Sequence, residues 1–432
     1  MTDGATDSLP KRVYRWALYR VFAPSAAIHL ARLTRASGKR AIAYRLAQPD
    51  SPVRRILVIC LDNIGDVVLT SGFLRELRGN FVNSHITLVV RHDITNLVER
   101  CPYVDEIVPF PGTPGKFWSP LTTGAAVTIG LRRLAPRGID LAIVPRWDVD
   151  PFNRAALLAF FSEANRRVAF SERVNGVKAI CNKGADRLFT ETLFDPEIRH
   201  EVEHYFDLLR FLGCRVSSTR LELWLDAADR RYATRLIRST AVGEGRGRPL
   251  VALGLGAGKP NRMWPAESYA ALCQRLVRSH DCRIVLLGGS DAAAAARLIR
   301  QRVGGRTIDL TGRLTLRQAA AVIEACRLYV GNDSGLMHLA AAAGLPVVEL
   351  SCHPATGQPG SPNSPLRFGP WGVPHVILQP SRALPPCTTA CAADHPHCIR
   401  LVPLDAVAEA VARLLAGAEA CRESPAALPS VQ

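Results

Sequence analysis

The sequence predicts two Rossmann-like α/β domains whose parallel sheets face a central cleft. Three observations carry this. From Arg55 onward short apolar runs alternate with helical spacing. The pattern restarts after a stretch reading GEGRGRP at Gly243–Pro249. With 432 residues the chain is too long for one hydrophobic core, because single cores stop growing well below that size.

The first half opens with ILVICL (Ile56–Leu61), a continuous apolar run of the kind a strand buried on both faces of a parallel sheet requires. Asp62–Asp66 reads as a turn and Val67–Arg78 as a helix. ITLVV (Ile86–Val90), EIVPF (Glu106–Phe110) and LAIVP (Leu141–Pro145) read as further strands. In the second half VALGLG begins a strand and Ala266–Ser279 a helix. RIVLLGG, an alanine-rich helix and LYVGNDSG follow. The expected organisation is a basic extension over 1–52, an N-terminal Rossmann-like domain over 53–242 and a linker over 243–249. A C-terminal Rossmann-like domain over 250–403, a helix over 404–422 and a disordered Pro/Ser-rich tail over 423–432 complete it.

Composition is that of an ordinary globular protein, 48% apolar and 21% charged, which excludes fibrous and disordered classes. Apolar stretches are broken before the ~18–20 residues that a membrane-spanning helix needs. Met1–Pro10 lacks a charged region followed by an apolar one, so a cytoplasmic location is expected. The net charge of +16 suits nucleic acid, anionic lipid and phosphorylated substrates equally well. Lys11–Arg45 carries Lys and Arg without any acid, interspersed with Trp16, Tyr19, Phe22 and Leu33. Such a segment reads as a helix or helix pair lying on an anionic membrane face, or as a solvated helix packed on the body of the protein.

Three loops carry the chemistry. In Val330–Pro346 a strand end runs into a helix that Asp333 or Ser334 can cap. Gly335 lets a ligand approach the backbone, and His338 lies one turn on from Ser334. The orphan N–H groups and dipole of that helix start attract phosphate. Leu253–Trp264 is a glycine-rich loop in which Gly256 and Gly258 free the backbone and Lys259 and Arg262 supply charge. It fits neither the dinucleotide fingerprint, which needs glycine at Lys259, nor the P-loop, which needs Ser or Thr at Pro260. In Leu61–Leu77, Asp66 stands just past a strand end, where a carboxylate can take a proton from an acceptor hydroxyl or simply cap a helix. Asp62 on the same turn is the second candidate.

Together, I-G-D-V-V-L-T, G-A-x4-R-x-W-P, L-L-G-G-S-D and G-N-D-S-G-x-x-H-L-A-A-A-x-G-x-P resemble glycosyltransferase family 9, the ADP-heptose:lipopolysaccharide heptosyltransferases of GT-B architecture. The similarity spans roughly Arg54–Leu415. The resemblance implies an inverting, metal-independent transferase moving a sugar, heptose or a relative, from a nucleotide-diphosphate sugar to a lipid-linked saccharide of lipopolysaccharide type. It implies Asp66 as general base, Arg262 in place of a phosphate-binding lysine, and Asp333, Ser334, Gly335 and His338 as donor contacts. It also places Asp291 near the nucleoside, the acceptor side in 53–242 and the donor-binding side in 250–403, with residues 11–45 holding the enzyme peripherally at the inner membrane. Cys60 stands where the family often has Arg, and Gly72 where it usually has Pro.

Asp148-Val149-Asp150 has the spacing of a metal-binding DxD, but this architecture needs no metal or other cofactor for its leaving group. Trp147–Asp150 follows a strand end, so an acceptor-side role in the cleft for this stretch, with Asp148 and Asp150, is the alternative. Cys387, Cys391 and Cys398, with His395 and His397, have non-standard spacing for zinc and read rather as a structural loop. The competing reading of the whole chain is a non-catalytic nucleotide-sugar- or nucleic-acid-binding protein, favoured by charge alone. No nucleic-acid motif supports it, so no nucleic-acid partner is expected.

Overall fold

The computed structural model describes residues 53–111, 121–239 and 247–423. The basic extension, most of the expected linker and all of the expected tail except Glu423, which ends the last helix, lie outside them. Two six-stranded parallel sheets form the frame. The first holds β1 (Arg55–Cys60), β2 (His85–Arg91), β3 (Glu106–Phe110), β4 (Leu141–Val144), β5 (Arg166–Phe170) and β6 (Glu191–Leu193), in the order β3-β2-β1-β4-β5-β6. The second holds β7 (Leu250–Gly254), β8 (Arg283–Leu287), β9 (Thr307–Asp309), β10 (Leu328–Asn332), β11 (Val347–Leu350) and β12 (His375–Leu378), in the order β12-β11-β10-β7-β8-β9. Both orders are the doubly wound 3-2-1-4-5-6 topology, one written from each edge. The α/β class and the paired GT-B-type sheets are as the sequence predicts.

The central strands show why apolar runs signalled them. Ile56, Leu57, Val58 and Ile59 of β1 are completely buried, with helices covering both faces. In β10, Tyr329 is buried too, and a Cβ at Gly254 would lie 1.7 Å from its hydroxyl. The glycine of VALGLG is thus room made for a neighbouring strand's tyrosine.

The expected helix Val67–Arg78 is two helices, Ile64–Leu69 and Ser71–Asn80, separated at Thr70. Thr70 donates its hydroxyl to the Val67 carbonyl at 2.8 Å, the local bond that lets threonine compete with helix continuation. Gly72 follows because a Cβ there would lie 3.0 Å from the Arg220 carbonyl and from Phe206. Pro265 stands at the cap position of the Ala266–His280 helix.

The halves meet through the starts of two helices. A Cβ at Gly335 would lie 2.8 Å from Ile64 Cβ, and one at Gly65 would lie 2.4 Å from His338 Cδ2. Glycines at both crossing points let the Gly335–Ala342 helix sit directly on Ile64–Leu69. The space at Gly335 is therefore taken by the other half of the chain, a correction to its reading as room for a ligand. Ion pairs Arg230–Glu324 (2.8 Å) and Arg317–Asp229 (2.9 Å) fix the Ala227–Ser239 helix to Leu316–Glu324 in the second half.

Candidate active site

In a doubly wound sheet, ligands bind beyond the carboxyl ends of the strands, where the winding reverses. Those points lie between β1 and β4 in one sheet and between β7 and β10 in the other. Asp62 and Asp66 follow β1, and Asp148 and Asp150 follow β4. The Gly256–Arg262 loop follows β7, and Asp333–His338 follows β10. The two switch points come together because the helix after β1 packs on the helix after β10.

Asp66 lies in the first turn of Ile64–Leu69 rather than before it. Its Oδ2 accepts the Asn63 N–H at 3.0 Å, so the capping role and the cleft position coexist. Burial pushes its carboxyl up to about 6, with Asp148 and Asp333 pushing the same way and the Asn63 N–H and Arg367 opposing. Asp62 is buried and ion-paired to Arg146, which leaves it poorly suited to accept a proton.

Arg367 is the charged hub behind Asp66, and it comes from the second half. It is fully buried, donates to Asp148 Oδ2 at 2.9 Å and to Glu201 Oε1 at 2.9 Å, and also reaches the Gly360 carbonyl. Its guanidinium lies 4.8 Å from the Trp147 ring centroid, and His204 stacks on Trp147 at 4.7 Å. Burial alone would raise Asp148, but Arg367 and Arg146 hold its carboxyl below the usual range. Burial wins at Glu201, which is pushed up to about 7 despite Arg367. Burial also pushes His200 down to about 4. Its neutral ring accepts the Val202 N–H on Nδ1 and donates from Nε2 to the Gly369 carbonyl at 3.0 Å. Asp150 faces elsewhere: its Oδ2 accepts the Ala156 N–H at 3.0 Å, capping the Arg154–Phe161 helix. Asp148 and Asp150 therefore do not form a paired DxD clamp.

Across the cleft, Asn332 knits the second switch point. Its Oδ1 accepts the Trp264 N–H at 2.9 Å, and its amide donates to the Leu255 carbonyl at 3.0 Å. Arg262 is thereby brought beside Asp333, 3.2 Å away, and also donates to Asn363. Burial raises the Asp333 carboxyl, and Arg262 opposes this. Ser334 occupies the cap position of Gly335–Ala342, but its hydroxyl accepts no N–H of that helix. The expected side-chain cap is absent there, leaving a polar group beside the helix start. His338 packs against Gly65, and burial pushes it down to about 3, so it is neutral. Asp291 hangs over the glycine loop, its Oδ2 3.3 Å from where a Gly256 Cβ would stand. Gly258 has open space around its Cβ position, and Lys259 is exposed.

The model of glycosyltransferase family 9 (heptosyltransferase) matches residues 152–383, more than half of the chain. The chain belongs to this family. Lipopolysaccharide heptosyltransferase 2 of Salmonella typhimurium is 27% identical over 311 residues, 68% of this chain and 82% of that protein. Its Escherichia coli K12 counterpart is 26% identical over 316 residues, with the same coverage. Among solved structures, a glycosyl transferase family 9 protein from Veillonella parvula superposes with a TM-score of 0.68 at 23% identity, covering 85% of this chain and 99% of its own. Escherichia coli ADP-heptose lps heptosyltransferase II gives 0.62 at 22% identity, covering 84% and 99%.

For this glycosyltransferase the sequence reading missed Arg367, Glu201, Arg146 and Lys178. Lys178 is buried, and its ammonium donates to the carbonyls of Trp147 (2.9 Å), Phe170 (3.2 Å) and Arg146 (3.3 Å). Burial pushes it down to about 8. It closes the ends of β4 and β5 and fixes the 146–150 turn that presents Asp148. In the sequence its one available signal was scarcity, as one of few lysines among many arginines.

Proposed function

We propose that this glycosyltransferase moves heptose from ADP-heptose to a lipopolysaccharide-type saccharide, with inversion at the anomeric carbon and without a divalent metal at the diphosphate. The observation that carries the reading is Asp66, a cleft carboxyl poised at about 6 opposite a cationic, glycine-rich loop. Such a carboxyl is largely ionised at neutral pH and still basic enough to accept a hydroxyl proton. The acceptor oxygen attacks the anomeric carbon as the bond to the diphosphate breaks. Its proton passes to Asp66, and ADP leaves with the bonding electron pair. Attack from the side opposite the leaving group inverts the configuration.

Arg262, Lys259 and the N-terminus of Gly335–Ala342 stabilise the departing diphosphate, the electrostatic task a metal performs elsewhere. Arg262 and Asp333 hold one another in this arrangement, so donor phosphate exchanges one anionic partner of Arg262 for another. Gly256, Gly258, Ser334, His338 and Asp291 complete the donor side, and Asp148 lies on the acceptor side. The names of the relatives support heptose, ADP and lipopolysaccharide as the substrates.

Purified protein given ADP-heptose and heptose-deficient lipopolysaccharide is expected to release ADP and add one heptose mass, with the rate unchanged by EDTA. Absence of ADP release across a panel of sugar nucleotides, with tight salt-sensitive RNA binding, overturns the reading in favour of a binding protein.

No described helix is long and apolar enough to cross a membrane. The cations of residues 11–45, which lie outside the described residues, are proposed to hold the enzyme to the anionic surface displaying its acceptor. Deleting residues 1–50 is expected to abolish co-sedimentation with phosphatidylglycerol vesicles while ADP binding persists. Undiminished sedimentation removes the surface role.

A further inference from the structure

The loop between β12 and the Leu404–Glu423 helix gathers four soft ligands that the transfer chemistry does not use. The Sγ atoms of Cys387, Cys391 and Cys398 and a ring nitrogen of His397 all lie within 4.8 Å of one another. His397 Nδ1 is 3.6 Å from Cys387 Sγ and 3.4 Å from Cys398 Sγ. Tetrahedral zinc, with Zn–S near 2.3 Å and Zn–N near 2.05 Å, sets S···N edges of about 3.6 Å and S···S edges of about 3.8 Å. The two S···N separations therefore match a tetrahedral edge before any ion is added.

The sulfurs also carry outer hydrogen bonds. Cys398 Sγ accepts the Leu384 N–H and Cys387 Sγ the Ala392 N–H, both at 3.4 Å. Amide donors of this kind neutralise thiolate charge and orient ligands. All three cysteines are free of disulfides. His395, the other histidine of the segment, is exposed and bonded to Asp394 at 2.9 Å, so it is outside the cluster. The ligand order is C-x3-C-x5-H-C, which the sequence alone does not distinguish from a loop with scattered cysteines.

We propose that Cys387, Cys391, His397 and Cys398 bind one tetrahedral thiophilic divalent metal, zinc or iron(II), as a structural pin behind the donor loop. The residues between β12 and the final helix form a long connection whose sole regular element is a short 3₁₀ turn at Cys398–Leu401. Connections of that length are uncommon unless something fixes them. The pin bears on the donor side. The Cys391 carbonyl accepts the buried Asn261 amide at 2.9 Å, and Asn261 adjoins Arg262. Trp264 donates its ring N–H to the Val402 carbonyl at 3.2 Å, just past the cluster. The metal sits outside the cleft, so its role is support, and it is independent of whether EDTA affects transfer.

Untagged full-length protein, purified without added metal, is expected to contain about one equivalent of zinc or iron by elemental analysis. The same elemental analysis separates the two. A mercurial thiol reagent is expected to release the metal, and stripping is expected to lower the unfolding temperature. Stripped protein given Co2+ is expected to show the red d–d bands and near-ultraviolet thiolate charge transfer of a tetrahedral site. The Cys387→Ser, Cys398→Ser double variant is expected to lose both metal and spectrum. Protein grown with supplemented zinc and iron that carries only traces of metal and gives no tetrahedral Co2+ spectrum overturns the proposal. A disulfide among the three cysteines, found by mass spectrometry, does the same. Both results come from the unaltered chain, so a variant that fails to fold cannot obscure them.

Discussion

Asp66→Asn is expected to lower kcat by about 10²–10⁴-fold, the usual contribution of a positioned general base, while ADP binding stays within about twofold. The substitution is chosen to separate two roles. Asparagine is nearly isosteric with aspartate and caps helices as well, so the new amide oxygen would still accept the Asn63 N–H that Asp66 accepts at 3.0 Å. If Asp66 were only a cap, the variant would turn over normally. If it is the base, the cap survives and the proton acceptor does not.

The pH dependence supplies a second readout. The base must be ionised to act, and burial pushes Asp66 up to about 6. The wild-type rate is therefore expected to be level above that value and to fall about tenfold per pH unit below it. Near-normal turnover by Asp66→Asn would return attention to Asp62 and Asp148, each of which is ion-paired in the structure, to Arg146 and to Arg367.

The frame of this enzyme was legible because both halves repeat one rule: strands buried on two faces must be apolar throughout. Ile56–Ile59 and Val251–Leu253 announce themselves for that reason. The glycine and acid motifs were legible as well, since Asp66, Arg262 and Asp333 stand where loops leave strand ends. Their environment was not. Asp66 owes part of its electrostatics to Arg367, far away in the chain, and nothing in SPLRFGPWG marks that arginine as buried. Gly335 shows the complementary failure. The sequence suggests space for a ligand there, whereas the space is filled by Ile64. A glycine reports a close approach without reporting what approaches. Short edge strands such as β6 and β9 have too few residues to show a period.

Arg367→Met is expected to destabilise the fold by about 3–5 kcal/mol, the cost of removing one member of a buried ion cluster. The methionine fills much of the volume and keeps the contact with Trp147, so the loss reports charge more than cavity. It leaves Glu201 without its cation and Asp148 with Arg146 alone. Glu201→Gln in the same background removes the stranded acid and is expected to restore part of the loss.

The pH dependence follows from the two carboxyls. Asp148 lies below its unfolded value, so its contribution is present above that value and lost as pH falls through the folded one. Glu201, pushed up to about 7, instead makes ionisation costly as pH rises, and losing Arg367 raises it further. The part of the deficit that comes from Glu201 should therefore open above about pH 7, where the wild-type carboxyl ionises beside Arg367 and the variant's does not, and the part that comes from Asp148 should shrink in acid. Arg367 also helps to hold Asp66 down, so the acid limb of the rate profile should move to higher pH in whatever folded enzyme remains. An unchanged melting midpoint with an unmoved limb would mean that Arg367 is a bystander. A shifted limb with restored stability in the double variant would identify it as the residue that sets the charge around Asp66, supplied by one half of the enzyme to the other.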